Sequence, residues 1–123
     1  MVANQATYCI PQLYRLTGVF WTDGTLKQQQ LIETLPSDLD VVWTTENYHD
    51  LHNDLFGKPD MKAFDTAVFN ALKPGGEFIV EDHVAEAGSG ARDTSTLHRI
   101  DPALVKQEVT SAGFEYVGES RVL

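Results

Sequence analysis

Cysteine is nearly absent from this sequence: Cys9 is the single one in 123 residues. That excludes an internal disulfide framework and a zinc cluster built on cysteines. The residues beside it, Tyr8, Ile10 and Pro11, include no base to activate the thiol, so Cys9 reads as buried or idle. Basic residues are also few, with 9 Lys and Arg against 18 Asp and Glu, a formal charge of −9. A phosphate backbone or an anionic membrane needs clustered Lys and Arg, so neither nucleic acid nor membrane is expected as partner. No apolar run is long enough to suggest a transmembrane helix. The first residues lack the basic-then-apolar layout of a signal peptide, and the expectation is a soluble cytoplasmic protein. Glycine is scarce at the front, where residues 1–37 hold only Gly18 and Gly24. No G-x-G-x-G turn can be built there.

What is present is ordinary for a globular chain. With 42% hydrophobic and 22% charged residues, the sequence suits one domain, 1–123, around one core.

The stretch from Leu72 to His83 organises the pattern. Lys73-Pro74-Gly75-Gly76 breaks a helix, because proline lacks the amide donor and glycine opens positive φ. Ahead of it, Asp60 can cap a helix whose apolar stripe is Met61, Phe64, Val68 and Leu72. After it, residues 77–82 read as a short buried strand. Leu39 to Thr45 is a near-continuous apolar run, as in a strand covered on both faces of a parallel sheet. Upstream, 16–22 reads as a strand ending at Asp23-Gly24, and Thr25 can cap a helix from Leu26 to about Leu35. Residues 53–59 read as a loop, and the small residues between Glu86 and Ala91 as a mobile one. Asp101-Pro102 starts a helix to about Ala112 that Gly113 stops. Phe114 to Val122 reads as a last strand. Alternation at this spacing indicates an α/β fold of three layers with a mostly parallel, doubly wound sheet.

In such sheets ligands bind at the carboxyl ends of the strands, and polar clusters follow both central strands. Glu46, Asn47, Tyr48, His49 and Asp50 come after the first; Asp82 and His83 come after the second. His49 is a candidate general base near neutral pH, oriented by Asp50 or Asp82. His83 is expected to face it from the neighbouring strand tip. His49, His83 and Asp82 together would also suit a divalent metal by ligand type. The spacing from His49 to His52 supports a metal only if a helix brings both rings to one face. Asp101 reads as a helix cap. His98 and Arg99 read as an anchor for an anionic group of a substrate, or Arg99 as a salt-bridge partner. Trp21 and Trp43 read as core.

A strand ending in an acidic-polar cluster, a helix, Leu72-Lys73-Pro74-Gly75-Gly76 and a strand together resemble the second half of class I S-adenosylmethionine-dependent methyltransferases. Asn47-Tyr48-His49-Asp50, Asp82-His83 with Gly88-Ser89-Gly90, His98-Arg99-Ile100-Asp101 and Ala112-Gly113-Phe114 are similar to a bacterial group of predicted methyltransferases. The resemblance runs from about Asp38 to Leu123, and residues 1–37 form a divergent front segment. It implies a Rossmann-like methyltransferase fold that is partial, with the glycine-rich cofactor turn missing. S-adenosylmethionine is the implied cofactor, with Glu46, Asn47 and Tyr48 on its side of the cleft. His49, Asp82 and His83 are the implied catalytic set, and Asp50, His98 and Arg99 would meet a small-molecule substrate. With the usual first strands lacking, backbone groups at the sheet edges would need cover, so a homodimer is expected. Two further readings stand beside this one: a non-catalytic dimeric interaction module, and a metal-dependent site on His49, His83 and Asp82.

Overall fold

The computed structural model describes residues 35–53 and 60–121. The strand expected at 16–22, the helix expected from Leu26 and the loop beyond Asn53 lie outside these residues.

Strand β1, Leu39–Thr45, forms where the apolar run places it. A short 3-10 helix, His49–His52, follows. Helix α1, Met61–Ala71, is capped by Asp60, whose carboxylate accepts from the Ala63 amide at 3.1 Å. Its buried side is Phe64, Asp65, Val68 and Ala71, close to the expected stripe but with a carboxylate in it. Strand β2, Leu72–Glu81, then pairs parallel to β1. The result is a β-α-β unit, an α/β arrangement with a two-stranded parallel sheet.

The break at Lys73–Gly76 takes a form the sequence does not specify. Leu72 pairs with Leu39, but Val41 already pairs with Glu77, so the residues between bulge out of the ladder. Gly75 has φ of 80°. Gly76 is pressed between backbones: a Cβ there would lie 2.9 Å from the Lys73 carbonyl oxygen and 3.1 Å from that of Leu39. Lys73 forms an ion pair with Asp40 across the bulge.

Helix α2, Pro102–Ser111, begins at Asp101 as expected, and Gly113 follows it with φ of 115°. It packs against α1. Val42, Tyr48, Leu51, Phe64, Val68 and Ile100 form the buried core, with Leu104, Val105 and Val109 of α2 packed against it. Among the described residues there is no strand after α2, contrary to the expectation for Phe114 to Val122. Phe114 instead stacks its ring between Phe69 and Phe78, at 5.1 and 5.4 Å between centroids. Val117 is 96% exposed. The segment is anchored by this one aromatic and not by strand pairing among the described residues. No helix among the described residues is long and apolar enough to cross a membrane.

Candidate functional site at the strand tips

β1 and β2 end side by side, with Thr45 opposite Glu81. The Glu46 amide donates to the Glu81 carbonyl at 2.8 Å, which carries the ladder one residue further. Glu46 then turns the chain with φ of 52°, in the left-handed region. That turn sends residues 47–53 across the tip of β2.

There His49 meets Asp82. The His49 amide donates to Asp82 Oδ2 at 2.8 Å, and ring Nδ1 lies 2.8 Å from Oδ1. The His83 amide also donates to Oδ1, at 2.8 Å. Both the His49 and Asp82 side chains are only 4% exposed. The Asp82 carboxylate accepts and cannot donate, so Nδ1 carries the hydrogen and donates it. Nε2 of the neutral ring is then an acceptor, and its approach to a second carboxylate needs a proton on one side of that contact. Nε2 points to Asp50, whose Oδ1 is 3.2 Å away. Burial pushes the Asp50 carboxyl above its usual value; His49 and His98 draw it back, and Asp82 adds to the rise.

His98 closes the third side. Its Nδ1 is 4.0 Å from the same Asp50 Oδ1, and its ring meets that of His49 edge-on, 5.5 Å between centroids. His98 has φ of 53°, a conformation that costs free energy for a residue with a side chain. Hydrogen bonds on either side hold it there. The Leu97 amide donates to the Asp93 carbonyl at 2.9 Å, and the Ile100 amide to that of His83 at 3.0 Å. Asp101 ties down the rest of the segment. One oxygen caps α2 through the Ala103 amide at 2.9 Å; the other accepts from Gly88 and Gly90 at 2.8 and 3.3 Å. The small-residue loop therefore has fixed points at both glycines. These amides hold the Asp101 carboxyl below its usual value.

The structure thus brings together His49, Asp50, Asp82 and His98, and separates others of the expected set. His83 does not face His49; it is exposed, with Nε2 3.5 Å from Glu46 Oε1. The metal triad His49, His83 and Asp82 is corrected accordingly. Among the described residues, the donors that converge are His49, Asp50 and His98, whose ligand atoms all lie within 4.8 Å of one another. Arg99 turns to backbone, donating to the Val84 carbonyl at 3.1 Å, and no carboxylate pairs with it among the described residues. Asn47 is half-buried, and its carbonyl accepts from the Asp50 amide at 3.1 Å.

Tyr48 points away from this edge. It is fully buried, with its hydroxyl 2.8 Å from Asp65 Oδ2 and 3.1 Å from Glu108 Oε2. Glu108 in turn lies 2.8 Å from His52 Nε2 through its other oxygen. The hydroxyl has one proton and can donate to one carboxylate, so the second contact needs a proton on the other. Burial, the leading cause, pushes Asp65 up to about 7, with Glu108 adding to it against the Tyr48 hydrogen bond and His52. Asp65 Oδ1 has no hydrogen-bond partner among the described residues, as suits a neutral carboxyl better than an anion. Burial works against a charge on His52, but Glu108 outweighs it and the histidine pKa rises. Burial and both carboxylates push the Tyr48 phenol far upward. Asp65 and Glu108 were not singled out from sequence. The available signal was an acid inside the apolar stripe of each helix, beside Phe64 and beside Val109.

No protein-family model, curated protein or solved structure matches the chain.

Proposed function

We propose that this chain is a methyltransferase-like, Rossmann-like α/β domain that binds a small molecule at the strand tips, with His49 as its proton-accepting group. The observation that carries this reading is the double attachment of His49 to Asp82 at the ends of two parallel strands. Strand tips are where open α/β sheets hold ligands. An imidazole whose Nδ1 is held by a buried carboxylate and whose Nε2 faces the strand-tip edge is positioned to accept a proton there. In methyl transfer, such a base removes the acceptor's proton while the site aligns acceptor and methyl donor.

S-adenosylmethionine is the donor we propose, on the motifs Leu72–Gly76, Asn47–Asp50 and His98–Asp101. Tyr48 would act behind the site, through the core, while Glu46 and Asn47 line its edge.

Calorimetric titration with S-adenosylmethionine and S-adenosylhomocysteine tests this, with light scattering on the same sample for the proposed homodimer. Saturable micromolar binding is expected. No heat at millimolar ligand would overturn cofactor use and leave a non-catalytic binding module.

A further inference from the structure

The three donors at this edge form a set that proton transfer alone does not require. His49 Nε2 and Asp50 Oδ1 come from consecutive residues and His98 Nδ1 from a distant part of the chain, and the three converge within 4.8 Å. We propose that they bind one divalent transition-metal ion, of the class of zinc or cobalt. This rests on the placement of the site argued above, though not on methyl transfer.

Two imidazoles and one carboxylate are a ligand set for such ions, which take nitrogen at about 2.0–2.1 Å and carboxylate oxygen at about 2.0–2.2 Å. Donors at those lengths around a tetrahedral centre stand about 3.4 Å apart. His49 and Asp50, at 3.2 Å, already satisfy this; His98, at 4.0 Å from Asp50, has to close slightly. Its side chain is 63% exposed, so the ring has room to do so.

A second feature is the support behind His49. Metal-binding histidines commonly donate their other ring N–H to a carboxylate, which fixes the tautomer and makes the ligating nitrogen more basic. Asp82, buried and 2.8 Å from Nδ1, stands in that relation to His49. The third feature is the left-handed backbone of His98, retained between fixed hydrogen bonds. Strain of this kind collects at ligand-binding positions. Three protein ligands leave one coordination position for water or a substrate atom. The ion and the transferred proton would use the same Nε2 lone pair, so the loaded form holds His49 as a ligand and the metal-free form holds it as a base.

The test uses the full chain, freed of metal with chelator. Zinc binding is measured by competition with a chromophoric chelator, and cobalt by its visible absorption. One ion per chain is expected. His98→Ala should weaken binding by at least ~10-fold, without loss of far-ultraviolet circular dichroism, because the side chain lies on the surface. His83→Ala should bind like the parent. No saturable binding, or equal affinity in His98→Ala, would overturn the proposal, as would loss of binding in His83→Ala alone. Repeating the S-adenosylmethionine titration on both forms separates the two readings. Metal binding without cofactor binding sinks only the methyltransferase reading, and the reverse sinks only the metal site.

Discussion

His49 is joined to Asp82 twice, once through its backbone amide and once through its ring, each at 2.8 Å. One carboxylate thus fixes where the turn lies and how its imidazole is protonated.

Replacing Asp82 by asparagine separates these two tasks. The amide oxygen can still accept from the His49 backbone, but its NH2 group facing Nδ1 would favour the opposite tautomer. Nε2 would then carry the hydrogen. The variant should fold with a loss of about 1–3 kcal/mol, while zinc affinity falls by about 10–100-fold. Urea unfolding and chelator competition on one preparation check both parts.

Asp65 should make stability depend on pH. Its carboxyl is near 3.8 when unfolded and rises to about 7 in the fold, so the folded state holds the proton longer. The contribution of Asp65 to stability is therefore greatest below about pH 4, declines as pH rises, and levels off above about pH 7. Tyr48, Glu108 and His52 are the titratable groups around it, and Glu108 adds to the rise. Asp65→Asn keeps an acceptor for Tyr48 without the charge. Relative to the parent it should gain on the order of 4 kcal/mol between pH 4 and pH 8. Equal pH profiles in urea denaturation would show that Asp65 ionises freely.

The bulge at Lys73–Gly76 predicts an order among substitutions. At Gly76 a methyl group meets two backbone oxygens, which cannot swing away, so Gly76→Ala should cost about 1–3 kcal/mol. At Gly75 nothing lies within 4 Å, and the cost is that of left-handed backbone, about 1–2 kcal/mol. Thermal melts should place both below the parent, and only at Gly76 should serine fare no better than alanine.

Local chemistry made much of this structure readable from sequence. The run from Leu39 to Thr45 became a strand, with Val42 buried and Leu39, Val41 and Trp43 half-buried, and Asp60 and Asp101 capped the helices that follow them. The segment from Phe114 misled because strand propensity has no structural effect without a partner backbone. The site was half legible. Residues following two strand tips could be expected to meet, and His49 does meet Asp82. The approach of His98 to Asp50 depends on a strained turn, and the link from Tyr48 to Glu108 on how α2 lies against α1. The first leaves no trace in spacing, and the second shows only as an acid within the apolar stripe of each helix. The outward turn of His83 follows from Asp82 taking the inward position and accepting from both His49 and His83 amides.

The turn from Tyr48 to His52 is held from two directions. His49 is bound to the strand tip on one side; Tyr48 and His52 are bound to Asp65 and Glu108 of the two helices on the other. Loops around ligand sites usually open on their own, far more readily than the core beneath them. Releasing this one breaks contacts to both helices and to the tip of β2, which predicts that it opens only together with them. In hydrogen–deuterium exchange the His49 amide should therefore be lost at the rate of the Val42 and Thr44 amides. Ligands would then reach the site by displacing water from its His98 side, with the turn itself standing still.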